Sequence, residues 1–101
     1  MKSNDIQAQN KSVKLDTLRC EIDAIDRQLL DLFQKRMNIS KNIALYKSEN
    51  GLAVFDPIRE TAKLNDIYCK SCKDFSEYNK EFFTVIMNLS KDYQNKILSG
   101  L

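Results

Sequence analysis

The stretch of residues 15–47, LDTLRCEIDAIDRQLLDLFQKRMNISKNIALYK, decides the fold. Its apolar residues recur at alternating steps of three and four, the spacing that places side chains on one face of a helix. The members of this apolar face are Leu15, Leu18, Ile22, Ile25, Leu29, Leu32, Ile39, Ile43 and Tyr46. Arg36 falls in the same series, and a guanidinium on a packing face needs an anion because it cannot lose its proton. The stretch predicts one long amphipathic helix that carries an anion-binding residue.

Two other cations on this helix define where that anion binds. Lys47 follows Arg36 by eleven residues, which returns it to nearly the same azimuth roughly 16 Å further along the axis. Arg19 precedes Arg36 by 17 residues, so it lies roughly 25 Å away and about a quarter turn off. Arg36 and Lys47 can therefore line one groove, whereas Arg19 can serve the same small ligand only from a second, antiparallel copy of the chain.

The limits of the long helix follow from capping residues. Ser12 is a plausible N-cap, and the Asn-Gly pair that ends at Gly51 is a stop signal, so we predict a helix over residues 12–49. Residues 1–11 are polar and are expected to form a disordered leader, and residues 12–101 to form a single domain.

The length of this helix predicts a dimer. At about 1.5 Å per residue it exceeds roughly 50 Å, whereas a compact domain of this size has a radius of gyration near 13 Å. Two shorter helices of the same chain do not suffice to cover such an apolar face. We therefore expect a homodimer that is formed through the long helix.

Two shorter helices follow, which makes the predicted fold all-α. Asp56 as N-cap and Pro57 at the first helical position begin a helix over about residues 57–71. Asp74 with Glu77 resembles a capping box for a third helix over about residues 75–98. The apolar stripe of that helix is Phe82, Ile86, Leu89, Tyr93 and Ile97, and one turn apart beside it lie Ser90 and Gln94.

Composition argues against several other classes of protein. The formal net charge is +2 and the cations alternate with acids, which argues against a nucleic-acid-binding protein. No apolar run approaches the roughly 18 residues that a membrane span requires, so we expect a cytoplasmic protein that binds no membrane. The chain has no His, and Cys69 and Cys72 form a lone CxxC pair, so no metal site is expected.

The candidate residues coincide with a known pattern. The motif Leu18-Arg19-x-x-Ile22-x-x-Ile25-Asp26-x-x-Leu29-Leu30 is followed by Arg36, Lys47 and Asp56-x-x-Arg59-Glu60, and then by Ser90 and Gln94. Over roughly residues 15–98 the chain resembles the all-α chorismate mutases. The resemblance implies an intertwined antiparallel homodimer of three-helix chains. It also implies an isomerase of phenylalanine and tyrosine biosynthesis, on the shikimate pathway, that rearranges chorismate to prephenate without a cofactor.

The resemblance also implies which residues hold the two carboxylates of chorismate. Arg36 and Arg19 of the partner subunit would each bind a carboxylate, a group that suits the planar guanidinium. Arg59 and Ser90 would help to hold these carboxylates. A surface ion pair is the structural alternative for Arg19, and an ordinary helix-surface charge is the alternative for Arg59.

The remaining roles concern the breaking bond and the ring hydroxyl. Lys47 and Gln94 would donate to the ether oxygen, where negative charge develops, so with Arg36 they are the predicted catalytic residues. Glu60 and the backbone of Asp56 would hold the ring hydroxyl. The family often has Pro ahead of this Asp, whereas here Pro57 follows it. The N-cap role alone also explains Asp56.

Two alternative functions stay open at this stage. An isochorismate pyruvate lyase has the same three-helix dimer and cationic pocket but eliminates pyruvate from a related substrate. A non-catalytic helical dimer, in which Arg36 only sets the register of two helices, belongs to a different class.

Overall fold

The computed structural model describes the backbone of residues 4–100 and the side chains of residues 14–100. Within this range the chain consists of three α-helices and has no β-strand. They are α1 (Asn4–Glu49), α2 (Pro57–Lys70) and α3 (Ser76–Ser99). The predicted all-α class and the order of a long helix followed by two shorter ones are confirmed.

The chain divides into two compact units between Lys35 and Arg36. The described part of the first unit is the α1 segment over residues 4–35. Its apolar face is 44–61% exposed at every large side chain of the predicted series, namely Leu15, Leu18, Ile22, Ile25, Leu29 and Leu32. Nothing within the described part of the first unit covers this face, since residues 4–35 form a single helix.

The start of α1 differs from the prediction. The helix begins at Asn4, so the expected start near Ser12 was too late. The backbone of residues 4–11 is helical where a disordered leader was expected, and residues 1–3 of that leader lie outside the described range. No Gly or Pro precedes Ser12, so nothing in the covalent structure stops the helix from extending towards the N-terminus. The assignment of residues 12–101 to one domain stays a prediction.

The end of α1 is built by the predicted Gly. Gly51 adopts a left-handed φ of 65°, which residues with a Cβ rarely adopt. Its amide bonds to the carbonyl of Ser48 at 3.4 Å, and the amide of Leu52 bonds to that of Lys47 at 2.8 Å. This pair of bonds is the Schellman motif, and it turns the connection after α1 back towards the last turn of the helix.

The start of α2 also follows its sequence signal. The Asp56 carboxylate accepts a hydrogen bond from the Arg59 amide at 3.0 Å, and Pro57 occupies the first turn, where its missing amide needs no partner. The helix ends at Lys70, with Ser71 as its C-cap. It packs against α3.

The start of α3 does not use the predicted capping box. Asp74 lies in a turn, Phe75 is the N-cap, and no side chain caps the helix. Phe75 already has near-helical backbone angles, φ −114° and ψ −2°, because the turn that bonds its amide to the Cys72 carbonyl leads directly into the helix. A side-chain cap needs an extended N-cap residue instead, so Asp74 and Glu77 have no box to form.

The core of the second unit is small and partly polar. Among the described side chains the buried apolar residues are Ala44, Ile86 and Met87. Ser40 of α1 and Ser90 of α3 are buried with them, and their hydroxyl oxygens lie 2.5 Å apart. Of the stripe predicted for α3, Ile86 is buried, whereas Phe82 and Leu89 are 48% and 44% exposed.

Three further observations concern the range that the structure describes. None of the helices there is both long enough and apolar enough to cross a membrane. The same residues contain no group of three or more side chains placed to hold a metal ion. Cys69 and Cys72 are free thiols on the exposed surface.

Candidate active site

The second unit contains a cavity of about 480 Å³. Its walls come from the last part of α1, the connection that follows, the first half of α2 and the packed face of α3. The polar residues that line it are Arg36, Ser40, Lys47, Asp56, Arg59, Glu60, Lys63, Ser90, Lys91 and Gln94. Of the eight site residues predicted from the sequence, all but Arg19 are therefore brought together here.

Arg36 and Arg59 give the cavity its electrostatic character. Burial lowers the pKa of the Arg36 guanidinium from its ordinary value, and the positive charge of Arg59 lowers this pKa further. Among side chains 14–100, no carboxylate lies within salt-bridge distance of either arginine. Two guanidinium groups that repel each other across a cavity are stabilised by an anion between them.

Lys47 is oriented by the connection that the Schellman motif turns back. Its ammonium donates to the carbonyl of Val54 at 2.9 Å. A lysine ammonium has three protons, so two remain for a ligand in the cavity. The Gly at the end of α1 thus determines the position of a candidate catalytic cation.

The first turn of α2 supplies three residues of the lining. The Asp56 carboxylate is engaged as the N-cap, since it accepts from the Arg59 amide, and the Asp56 carbonyl accepts from the Glu60 amide at 3.0 Å. The structure thereby assigns the Asp56 side chain a capping role, while the predicted ligand role of its backbone stays a prediction. The positive end of the helix dipole also favours an anion at this wall of the cavity.

Glu60 is paired with a residue that the sequence interpretation missed. The Lys91 ammonium lies 3.2 Å and 3.0 Å from the two carboxylate oxygens of Glu60. It also lies 4.5 Å from the centroid of the Phe55 ring, a cation–π geometry. Lys91 precedes Gln94 by three residues, so the helical spacing carried a signal that both face one side.

Ser40, Ser90 and Gln94 form the buried polar end of the cavity. Each is less than 10% exposed. The two serine hydroxyls bond to each other, which uses one of their two protons and leaves the other for a ligand. The buried Gln94 Oε1 has no hydrogen-bond partner, and buried polar atoms are rarely left unpaired except where a site awaits a ligand or water. Ser40, also missed by sequence analysis, follows Arg36 by one helical turn.

Arg19 belongs to the first unit and does not line the cavity of the second. Its side chain is exposed. The role expected for it requires a second chain and stays a prediction.

Fold and cavity together define a class of protein. The chain is an all-α protein with a cationic pocket, lined by five basic and two acidic side chains, that suits a small ligand with more than one negative charge. Residues 18–95 match the family model described as chorismate mutase type II. The chain belongs to this family, as the resemblance of its sequence motifs implied.

Comparison with individual proteins agrees with this assignment. The chain is 30% identical over 88 residues to the chorismate mutase of Methanocaldococcus jannaschii, which covers 84% of this chain and 88% of that protein. It superposes on the crystal structure of chorismate mutase from Helicobacter pylori in complex with prephenate with a TM-score of 0.80 and 34% identity. This match covers 88% of this chain and 98% of that one.

Other relatives match over a shorter segment. The 4-amino-4-deoxychorismate mutase of Streptomyces venezuelae is 41% identical over 46 residues, which is 46% of this chain and 45% of that protein. The T-protein of Haemophilus influenzae is 42% identical over 50 residues, half of this chain. The matched segment spans only 13% of that T-protein.

Proposed function

We propose that this protein catalyses the rearrangement of chorismate to prephenate, a step of phenylalanine and tyrosine biosynthesis. The observation that carries the proposal is the cavity itself. Two guanidinium groups, Arg36 and Arg59, face it without a carboxylate partner among the described residues, together with Lys47 and the buried amide of Gln94. Chorismate is a dicarboxylate, and this set of groups matches its charge.

The chemistry needs no general base, nucleophile or cofactor. In the rearrangement one C–O bond breaks and one C–C bond forms within a single molecule, and no proton is transferred. The protein therefore acts by holding the substrate in its reactive folded conformer and by stabilising the charge that develops in the transition state. The lining fits this task, since the cations carry no acid–base duty and the Asp56 carboxylate is engaged as a helix cap.

Lys47 and Gln94 stabilise the breaking bond. Negative charge grows on the ether oxygen in the transition state, and preorganised donors at that point lower the barrier. Lys47 keeps two protons beyond its bond to Val54, and the Gln94 amide donates without any change of protonation. These residues are the proposed catalytic pair, with Arg36 beside them.

Arg36, Arg59 and Ser90 bind the carboxylates, and Glu60 accepts from the ring hydroxyl. Each arginine presents a planar fork of donors, and no protein carboxylate within the described range competes for it. Ser90 shares its hydroxyl with Ser40, so the pair offers one donated proton. The likeness to the Helicobacter pylori enzyme, whose structure contains prephenate, supports this use of the cavity.

The first experiment identifies the reaction. The purified protein is mixed separately with chorismate and isochorismate, and products are followed by NMR. Prephenate from chorismate supports the proposal. Pyruvate formed mainly from isochorismate would establish the lyase instead, and no turnover of either substrate would leave a non-catalytic helical protein.

A matched pair of variants locates the reaction in the cavity. Lys47→Met removes a donor to the transition state and should lower kcat/KM by about 10²- to 10³-fold. Lys41→Met, at an exposed lysine of the same helix outside the cavity, should leave it unchanged. Equal rates for the two variants would exclude Lys47 from the catalytic groups.

We also infer that the working form is an intertwined antiparallel homodimer in which Arg19 of the partner subunit completes each cavity. The apolar face of the first unit supports this, since its six large side chains are 44–61% exposed and no other element among residues 4–35 covers them. Faces of this kind are typical of association surfaces. A cytoplasmic location and a single domain over residues 12–101 are part of the same proposal.

Mixing two inactive variants tests the shared site. Arg19→Ala and Lys47→Met would each disable both sites of their own homodimer. After co-refolding in equal amounts, half of the dimers are mixed, and each of these regains one intact site, so about a quarter of wild-type activity should return. Two copies of a single variant refolded together are the control, and no recovery in the mixture would contradict the shared site.

A further inference from the structure

Lys91 reaches into the cavity between two residues of the proposed site, Ser90 and Gln94. Three separate contacts hold its ammonium. It bonds to both oxygens of Glu60, at 3.2 and 3.0 Å, and lies over the Phe55 ring. The side chains of Lys91 and Glu60 are only 25% and 23% exposed. This ion pair joins α3 to the first turn of α2 across one wall of the cavity.

Among the described residues that line the cavity, the pair leaves no carboxylate unengaged. Two acidic side chains line it. Asp56 is engaged by the Arg59 amide, and Glu60 by Lys91. A carboxylate has about four lone-pair positions, so Glu60 can still accept a hydrogen bond from a neutral donor such as a hydroxyl. Its negative charge, however, is already compensated.

A second cation would not be favoured at Glu60. If one carboxylate held both Lys91 and an ammonium group of a ligand, the two nitrogens would lie within roughly 4–6 Å of each other. Like charges at that distance repel, and four further cations surround the cavity. Without Lys91, by contrast, a bare Glu60 carboxylate would attract an ammonium more strongly than a hydroxyl.

We propose that Lys91 is a specificity-determining residue, which through its ion pair with Glu60 makes the cavity prefer a ring hydroxyl over a ring amine. This inference rests on the proposed function, in which Glu60 accepts from the ring hydroxyl of the substrate. The discriminated compound is 4-amino-4-deoxychorismate, in which an amine replaces that hydroxyl and is protonated at neutral pH. Lys91 thus discriminates between two substrates that have the same carboxylates and the same ether oxygen.

The test compares kcat/KM for chorismate and 4-amino-4-deoxychorismate in the wild type and in Lys91→Met. The ratio of the amine to the hydroxyl substrate should rise on the order of tenfold in Lys91→Met, as expected for the loss of one partly exposed charge. Lys91→Arg, which keeps the charge, should restore the wild-type ratio. Lys80→Met, an exposed lysine of α3 outside the cavity, is the control and should leave the ratio unchanged.

A second background separates specificity from a structural effect. A merely structural role of Lys91 would lower both rates and leave their ratio constant. In the double variant Lys91→Met/Glu60→Gln no carboxylate is left to attract the amine, so the raised preference of Lys91→Met should fall back towards the wild-type ratio. An unchanged ratio in Lys91→Met, or a raised preference that persists in the double variant, would overturn the proposal.

The proposed function can fail separately from this inference. If the wild type converts neither compound, the proposed reaction is wrong. In that case calorimetry measures the affinities of the two compounds for the wild type and for Lys91→Met, and their ratio replaces the ratio of kcat/KM. An equal ratio of affinities in both proteins would overturn the inference as well.

Discussion

Arg36→Met should lower activity and raise stability at the same time. Arg36 lies partly buried at the wall of the cavity, and its pKa is lowered by burial and then by the charge of Arg59. A lowered pKa of a basic group means that the folded state disfavours its charged form. Methionine keeps the apolar part of the side chain and removes the charge. The substitution therefore removes a charge that destabilises the folded state, and with it a group that binds the substrate.

The two effects differ in size. Loss of one charged donor to the transition state should reduce kcat/KM by about 10²- to 10³-fold, or about 2.7–4 kcal/mol. Removal of a repulsive, partly exposed charge should add up to about 1 kcal/mol to the free energy of unfolding. With a urea m-value of about 1–3 kcal/mol/M, that gain moves the denaturation midpoint upward by roughly 0.3–1 M.

The sign of the stability effect is independent of pH over the working range. The folded-state pKa of Arg36 lies below its unfolded value, so the cost is fully present wherever the group is protonated in both states. It would disappear only as pH rises through the folded-state pKa. The gain in stability of Arg36→Met should accordingly be the same at pH 6 and at pH 8.

The assay combines steady-state kinetics with urea unfolding at one fixed protein concentration, because an associating protein has a concentration-dependent stability. Arg27→Met is the control, since Arg27 is exposed and lies outside the cavity. It should change neither quantity. A loss of stability that accompanies the loss of activity would show that Arg36 has an anionic partner in the folded protein. Unchanged activity would remove Arg36 from the site.

Two further substitutions test the roles of neighbouring residues. The Gln94 amide donates at any pH, so wild-type kcat/KM should be nearly constant between pH 6 and 8. In Gln94→Glu the new carboxyl must be protonated to donate, so kcat/KM should fall about tenfold per pH unit above the pKa of that carboxyl. A constant kcat/KM in the variant would show that the side chain at position 94 does not donate to the reacting atoms. Asp56→Ala should lower the free energy of unfolding by about 1 kcal/mol, because the hydrogen bond from the Arg59 amide is lost. Asp56→Asn should keep most of the stability, measured by urea unfolding, and most of the activity, measured by rate assays. A large loss of activity in Asp56→Asn without a loss of stability would assign the Asp56 carboxylate a direct role towards the substrate.

Local sequence signals predicted the ends of the helices correctly where a single residue determines the backbone conformation. Gly51 ends α1 because only a residue without Cβ readily adopts its φ of 65°. Asp56 and Pro57 begin α2 through one hydrogen bond and one missing donor. The local signals failed where the same residues are compatible with two local structures. At Asp74 the sequence fits a capping box, but the chain forms a turn that leads directly into α3, so no side-chain cap is needed.

The candidate site was predictable only in part, for a different reason. Arg36, Lys47, Arg59 and Glu60 could be found from motif spacing within a helix or across one connection. Helical spacing could place Lys91 on the same side of α3 as Gln94, but it could not identify the ion pair, because the partner Glu60 is 31 residues away and the pair exists only through the packing of α2 against α3. Ser40 likewise acquires meaning only from Ser90, 50 residues further along the chain.

The geometry of the cavity depends on helix ends more than on a large core. The Schellman motif at Gly51 aims Lys47, and the cap at Asp56 orients the turn that carries Arg59 and Glu60. The apolar residues buried among the described side chains of this unit number only three, so burial within one chain supplies little rigidity. Catalysis by preorganisation requires donors that do not move when charge develops. If the proposed function holds, association with another chain would therefore have two effects. It would cover the exposed apolar faces of the helices, and it would hold the catalytic groups in place.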